Sequence, residues 1–295
     1  MQMKTLAASS RPPFLLLTLS SVLLGYAAAR LTVDGIEAGM LLLVLAGALA
    51  AHASVNLLNE YFDFRSGLDL QTLRTPFCGG SGALPADPGS ATAVLALGFG
   101  TLAVCIVIGL YLAWTAGPGI LLVGIPGVLL VVAYTQWLTR RPWLCLAAPG
   151  LAFGPLMVAG TAFVLTGEYS TAAFMVSLVP FFLASNLLLL NQYPDVEADR
   201  TVGRRHLLIV HGARAGAAVY ILFLLAAFVV PVLGVTTGHL PQGALAGLLC
   251  LGIAVPLAGG VWRYAGRGVA LQRMLAPNVV LSLLMPVLVA LGMLL

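Results

Sequence analysis

The chain has 295 residues, of which 60% are hydrophobic and only 8% are charged, with a mean hydropathy of +1.04. A soluble domain cannot bury so much apolar surface, and the continuous apolar runs exclude the short alternating segments of a membrane β-barrel. The composition therefore predicts an all-α, polytopic membrane protein, and we expect residues 1–295 to form a single domain.

Apolar runs of about 20 residues, the length that crosses the hydrocarbon core of a bilayer, recur about nine times along the chain. The predicted spans are 12–31, 38–59, 91–114, 119–138, 145–166, 171–193, 215–236, 243–262 and 274–294. The first run follows Lys4 and Arg11 and has some features of a signal peptide, but its length favours a spanning helix.

The basic residues predict how these spans are oriented. If the N-terminus is cytoplasmic, only Arg30 of the 14 lysines and arginines falls on the outer side. This distribution obeys the positive-inside rule. It also accounts for the net charge of +4, so no nucleic-acid partner is expected.

Two asparagine-led acidic segments follow the second and sixth predicted spans, and the predicted orientation places both on the cytoplasmic side. Their polar residues are Asn59, Asp63 and Asp69 in the first and Asn191, Asp195 and Asp199 in the second. Residues four apart share a helix face, so each segment is expected to present a polar stripe, with a kink at Pro194. Glu60 and Glu197 are expected to point elsewhere.

Ionised carboxylates at a membrane boundary need a partner. Mg²⁺ prefers oxygen ligands and commonly bridges protein carboxylates to substrate phosphates. Facing stripes would therefore suit Mg²⁺ with a diphosphate, whose remaining charge nearby arginines would neutralise. The candidate arginines are Arg65, Arg140, Arg141, Arg204 and Arg205, although membrane topology explains their positions equally well.

Other residue types carry weaker indications. Two interpretations stay open for Tyr61, Phe62, Tyr134 and Tyr193: aromatic faces around a cation, or an interfacial belt, which is slightly favoured. His52 is interpreted as a helix-packing residue, and a ligand role stays open for His206. The cysteines are expected to be free thiols, and they are Cys78, Cys105, Cys145 and Cys250.

At the acidic segments the chain resembles the UbiA superfamily of intramembrane prenyltransferases, in particular the branch of 1,4-dihydroxy-2-naphthoate polyprenyltransferases. The first motif of that family is matched by Asn59, Asp63, Gly67 and Asp69, and the second by Asn191, Asp195, Glu197 and Asp199. The segment 153–156, followed by Gly160 and Thr161, is similar to the same branch.

The resemblance implies about nine helices around a central cavity under a cytoplasmic cap, with an isoprenyl diphosphate, an aromatic acceptor and the lipid bilayer as partners. It implies Mg²⁺ as cofactor, bound by Asn59, Asp63, Asp69, Asn191, Asp195 and Asp199, with the four aspartates as catalytic residues. The diphosphate-binding set would be Asn59, Arg65, Arg140, Arg141, Asn191, Arg204 and Arg205.

The chain departs from the family pattern at Glu60, where aspartate is common, and around Arg140 and Arg204, where lysine is common. Positive charge is kept around Arg140 and Arg204, so diphosphate binding is expected to survive these changes. The identity of the acceptor stays open. A membrane terpene cyclase would use the same diphosphate chemistry and is an alternative. A transporter is a weaker one, because its site would be expected near the midplane.

Overall fold

The computed structural model describes residues 1–72 and 80–295. Within these ranges every regular element is helical, which confirms the predicted all-α class. Cys78, and Arg74 among the 14 basic residues, lie outside the described residues. Of the other cysteines, Cys105, Cys145 and Cys250 are free thiols, as predicted.

The helices follow one another with short connections. The first eight are α1 (Gln2–Ser9), α2 (Leu16–Ala29), α3 (Ala38–Arg65), α4 (Ala83–Ala86), α5 (Ala91–Thr115), α6 (Leu121–Ala133), α7 (Pro142–Leu151) and α8 (Gly160–Thr166). The others are α9 (Thr171–Asn191), α10 (Val196–Thr201), α11 (Leu207–Thr236), α12 (Leu251–Tyr264), α13 (Gly268–Gln272) and α14 (Leu275–Leu294). Shorter 3₁₀ segments are Pro12–Leu15, Leu68–Leu70, Pro88–Ser90, Pro118–Ile120, Leu138–Arg140 and Gln242–Cys250.

Eight helical stretches of the described chain are long and apolar enough to span a membrane. The remaining predicted span is the fourth in chain order, 119–138. In the structure it is the shorter helical stretch Pro118–Ala133. Helix α3 continues six residues beyond the predicted span 38–59, because the first acidic motif itself is helical as far as Arg65.

The surface is that of a bilayer-embedded bundle. Large apolar side chains are exposed along the helices, for example Val107 at 65% and Leu129 at 62%. Exposed tryptophans lie near both ends of the bundle, with Trp114 at one end and Trp137 and Trp143 at the other. Such aromatic belts are typical of the two membrane–water interfaces.

Helix α9 is the central packing element. It contacts α2, α7, α11 and α14, and Leu183, Leu189 and Leu190 on it are at most 1% exposed. A buried polar network ties three of these helices together: Asn186 Nδ2 donates to the carbonyl of Tyr220, whose hydroxyl donates to Asn278 Oδ1. This side of the molecule is solidly packed.

The stretch between α7 and α8 departs from α-helical geometry. Residues Ala152–Ala159 form a π-helical segment, and Gly154 within it has φ −88° and ψ −105°. Pro155 removes a backbone donor there, and a Cβ at Gly154 would meet the Ser177 carbonyl at 2.5 Å. The kink therefore lets this segment approach α9 closely and turns the neighbouring residue, Phe153, towards an internal cavity.

Candidate diphosphate and metal site

The first motif reaches the cavity along an unbroken helix and a glycine turn. Asn59 and Asp63 lie one turn apart at the end of α3 and both line the cavity. Gly67 then adopts a left-handed conformation with φ 78°, which an L side chain rarely adopts. The turn places Asp69, which is 3% exposed, on the same cavity wall.

The second motif reaches the cavity along a broken helix. Helix α9 ends at Asn191, a turn follows, and α10 begins at Val196, so the predicted helical stripe with a kink at Pro194 is wrong. The physical reason is Pro194, which has no N–H to continue the α9 ladder. Asn191, Asp195 and Asp199 nevertheless all line the cavity.

Arg204 joins the two motifs. Its guanidinium donates from Nη1 to Asp199 Oδ1 at 2.9 Å and from Nη2 to Asp63 Oδ1. Asp199 also contacts His206, with 3.0 Å between Oδ2 and Nε2. Although burial lowers the pKa of Arg204, the carboxylates of Asp63 and Asp199 raise it above its usual value. The guanidinium is therefore a permanent cation between acids of the two motifs.

The cavity beneath this cluster is largely apolar and measures about 420 Å³. Its walls come from α2, α3, α5, α6, the α7–α8 region and α9. The polar residues concentrate at one end, and the aliphatic lining includes Leu17, Val44, Leu112, Val123, Val131 and Leu156. A ligand with a charged head and a long apolar body fits this distribution.

The donor set fits a hard cation such as Mg²⁺. Asn191 Oδ1 is buried and accepts no hydrogen bond from the described part of the chain. Burial first, and then the Glu60 and Asp63 carboxylates, raise the pKa of Asp69 from 3.8 to about 7. A cation at this position would offset that mutual repulsion. Among described residues, no three His, Cys, Asp or Glu side chains already form a metal cluster, and Arg204 lies between two acids instead.

The other predicted arginines are distributed differently. Arg65 and Arg140 are exposed and line a second cavity beside the first. Asp63, Thr139 and Arg204 border both cavities. Arg141 and Arg205 are exposed and line neither cavity. The structure therefore brings Arg204 into the cluster, sets Arg65 and Arg140 beside it, and leaves Arg141 and Arg205 outside.

The predicted aromatic residues separate in the same way. Tyr134 lines the main cavity, whereas Tyr61 and Phe62 line the second one. Tyr193 lines neither, and its hydroxyl donates to the Ala213 carbonyl at 2.7 Å. Only Tyr134 of the four therefore borders the apolar cavity.

Sequence reasoning missed the role of Arg11, which it assigned to membrane topology. Arg11 lines the cavity, and its Nη2 donates to Glu60 Oε2 at 2.8 Å. Glu60 is fully buried and also accepts hydrogen bonds from the backbone and hydroxyl of Ser81. Arg11 has a left-handed φ of 52°, which is unusual for a non-glycine residue. No sequence pattern pairs Arg11 with Glu60, but an acid next to an apolar helix needs a cation, and that was the one available signal.

Two histidines also belong to the cavity. His206, for which a ligand role was left open, lines the cavity and contacts Asp199, so it orients one of the motif acids. His52, interpreted from the sequence as a packing residue, also lines the cavity. The spacing of His52 from Asn59 and Asp63 on one helix face was the signal for its position.

A polytopic helical bundle with two acidic motifs at one end of an apolar cavity defines the class of intramembrane protein to which this chain belongs. The model of the UbiA prenyltransferase family matches residues 18–293. The chain belongs to this family, as its motifs indicated.

Individual relatives agree with that assignment. The chain is 26% identical over 206 residues to a 1,4-dihydroxy-2-naphthoate octaprenyltransferase of Bacillus subtilis, a match that covers 69% of this chain and 64% of that protein. The chain thus spans about 64% of the length of this relative.

Solved structures share the fold at low identity. A UbiA homologue from Aeropyrum pernix superposes with a TM-score of 0.68 and 16% identity, covering 94% of this chain and 96% of that one. A UbiA homologue from Archaeoglobus fulgidus bound to DMAPP and Mg²⁺ gives a TM-score of 0.65 and 12% identity, covering 99% of each chain. At these identities the likeness establishes the fold alone.

Proposed function

We propose that the protein transfers a polyprenyl group from an isoprenyl diphosphate to an aromatic quinone precursor within the membrane, with Mg²⁺ as cofactor. One observation carries the proposal: acids of both motifs meet at Arg204, at the polar end of an apolar cavity. The diphosphate and Mg²⁺ of the Archaeoglobus homologue and the naphthoate of the Bacillus relative support it.

In this proposal the oxygen donors of both motifs hold the metal and thereby the diphosphate. The donors are Asn59, Asp63, Asp69, Asn191, Asp195 and Asp199. When bound, Mg²⁺ would neutralise the negative charge that develops on the departing diphosphate. Arg204 would stabilise the same charge by direct donation, with Arg65 and Arg140 adjacent and Arg141 and Arg205 acting at longer range.

The cavity accounts for the other half of the reaction. Its aliphatic walls would accept the prenyl chain and exclude water, so that the allylic cation meets the electron-rich acceptor ring and not a water molecule. The new carbon–carbon bond would replace the bond to the diphosphate oxygen, and the attacked ring carbon would then lose its proton or, if it carries a carboxylate, CO₂. Tyr134 lines the cavity, and its aromatic ring would stabilise the positive charge. The motif end of the bundle would face the cytoplasm, as the distribution of basic residues indicates.

Turnover by the purified protein in lipid nanodiscs tests the proposal. Prenyl diphosphates of several lengths would be combined with dihydroxynaphthoate, 4-hydroxybenzoate, homogentisate or glyceryl phosphate lipid, with and without Mg²⁺. We expect a prenylated aromatic product that requires both the metal and the acceptor. A cyclic hydrocarbon formed without acceptor would show that the protein is a terpene cyclase and not a transferase. Transport of unchanged substrate across the membrane would favour a transporter.

The variant Asp63→Asn tests the site within the same assay. We expect turnover to fall at least about 10²- to 10³-fold, as when a preorganised charge-stabilising group is removed. The matched control is Asp87→Asn: Asp87 lies near the same end, bonds Thr5 and Ser90, and does not line the cavity. Near-normal turnover in the Asp63 variant would contradict the site assignment.

A further inference from the structure

A column of polar side chains descends one face of α3 from the motif into the apolar cavity. It consists of His52, Asn56, Asn59 and Asp63, which all line the cavity. The spacing of four, three and four residues keeps them on one helix face. His52 is the innermost member and lies about 10 Å below Asn59 along the helix axis, from a rise of 1.5 Å per residue.

The ring of His52 is held by a single hydrogen bond. Its Nδ1 lies 2.8 Å from Oγ1 of Thr18, a residue of α2 that is fully buried. The Thr18 hydroxyl makes no other hydrogen bond among the described residues, so the pair is satisfied when that hydroxyl donates to Nδ1. The proton of the neutral ring then lies on Nε2, since a hydrogen bond to one nitrogen selects the tautomer.

The same ring is fixed from a second side. It packs edge-on against Phe153, with 4.8 Å between ring centroids and an interplanar angle of 73°. Phe153 lies in the π-helical segment next to the kink at Gly154. Three elements, α2, α3 and the segment Ala152–Ala159, thus position a side chain that is only 6% exposed.

The Nε2–H group has no protein partner in the part of the chain that the structure describes, although the ring borders the cavity. A donor in an apolar environment costs free energy unless it is paired. A prenyl chain offers no hydrogen-bond acceptor, so it cannot satisfy this group. An aromatic substrate carrying hydroxyl or carboxylate oxygens can.

We propose that His52 determines acceptor specificity by donating a hydrogen bond from Nε2 to an oxygen substituent of the aromatic acceptor. This inference rests on the proposed function. The separation of about 10 Å between His52 and Asn59 leaves room for an aromatic ring system and an attack distance of about 3–3.5 Å. His52 would hold the far end of the acceptor while the motifs hold the diphosphate, so the ring carbon faces the prenyl carbon that loses its diphosphate.

Kinetics with two leucine variants test the proposal. In His52→Leu we expect the KM for the acceptor to rise about 10-fold or more, as for loss of a hydrogen bond to a charged group. The KM for the prenyl diphosphate should change less than about 2-fold. The matched control is His239→Leu, because His239 is exposed and lies outside the cavity. Among the described residues its ring hydrogen-bonds only Thr237.

Two further comparisons separate recognition from packing. His52→Gln keeps an N–H donor near the position of Nε2 and should recover part of the acceptor affinity. An acceptor analogue that lacks the recognised oxygen should bind wild type and His52→Leu equally, which a packing defect would not produce. Dihydroxynaphthoate and dihydroxynaphthalene form such a pair for the carboxylate, and monohydroxy analogues test the hydroxyls.

Acceptor binding without turnover, measured as a thermal shift in nanodiscs, keeps this test independent of the reaction. Acceptor binding that depends on His52 in a protein without transferase activity would support His52 and contradict the proposed function. Active wild type with the same acceptor KM in His52→Leu would overturn the role of His52 alone. Absence of acceptor binding to wild type would also overturn the role of His52. So would equal rises in the KM values for the acceptor and the prenyl diphosphate in His52→Leu.

Discussion

The two acidic motifs have similar sequences but reach the cavity by different backbone routes. In the first, α3 continues through Asn59 and Asp63 to Arg65, and a left-handed Gly67 redirects the chain to Asp69. In the second, α9 stops at Asn191 and a separate short helix, α10, carries Asp199. Arg204, beyond α10, then reaches back across the cavity to Asp63.

This difference shows that equal spacing in sequence does not require equal conformation. In the first motif Asn59 and Asp63 lie on one continuous helix, whereas the second motif spans the end of α9, a turn and a short helix. Arg204 contacts one acid of each motif. We expect the second motif, which has no continuous helix, to depend more strongly on that contact. The following substitutions probe that contrast in order of decreasing effect.

Arg204→Gln should have the largest effect. It removes the cation between Asp63 and Asp199 and, in the proposed function, a donor to the leaving diphosphate, so we expect turnover to fall about 10²- to 10³-fold. Mg²⁺ alone should raise the melting temperature of this variant more than that of wild type, because the facing acids lack their internal counter-ion.

The neighbouring Arg205→Gln is the control, since Arg205 is exposed and lines neither cavity. Because Arg205 would act only at longer range, turnover should fall far less than in Arg204→Gln, and the melting temperature should stay close to wild type. Equal losses of turnover in Arg204→Gln and Arg205→Gln would contradict this prediction. They would mean that the overall positive charge of the loop matters, and not the contacts of Arg204 with Asp63 and Asp199.

The glutamates of the two motifs should respond unequally. Glu60 is fully buried against Arg11 and Ser81, whereas the Glu197 side chain is 88% exposed beside Arg200. Glu60→Gln should cost about 1.5–3 kcal/mol of stability, the value of a hydrogen bond to a charged group. Glu197→Gln should produce no measurable change in chemical or thermal unfolding, and similar losses in both would contradict the asymmetry.

Two left-handed glycines offer the finest comparison. Gly67 and Gly203 have φ values of 78° and 77°, and a Cβ at either would meet no atom within 4 Å. Alanine at each should therefore cost about 1–2 kcal/mol through backbone strain alone. We expect Gly67→Ala to weaken Mg²⁺ binding through Asp69, and Gly203→Ala to act through Arg204 and lower turnover.

Gly100→Ala is the control for these variants, because Gly100 lies inside α5 with open space around its Cα and no left-handed φ. Its stability should be unchanged or slightly higher. Wild-type stability in all three alanine variants would show that neither turn needs its glycine.

Much of this molecule follows from the sequence because few residues are charged. In a chain with 8% charged residues, the length of each apolar run predicts its span, and two acidic interruptions predict a site. The conformation around Pro194 was harder, since proline is compatible with either a kink or an end. Here the helix ends.

Long-range pairing was the other missing part. Arg11 and Glu60 are 49 positions apart, and no local pattern connects them. The five arginines predicted to bind diphosphate were indistinguishable as sequence, because what separates Arg204 from Arg205 is which way each points from one loop. The spacing of His52 from Asn59 and Asp63 places it on their helix face, but only the fold shows that this face borders a cavity at the depth of His52.

The short helical stretch Pro118–Ala133 has a consequence for the surrounding lipid. At 1.5 Å per residue it measures about 24 Å, whereas the hydrocarbon core of a bilayer is about 30 Å thick. The residues that follow it, Thr135 to Trp137, line the second cavity, where irregular backbone at membrane depth is tolerated. A hydrophobic mismatch at this helix would therefore fall beside Arg65 and Arg140, which line the same cavity, and we expect bilayer thickness to affect this wall of the site.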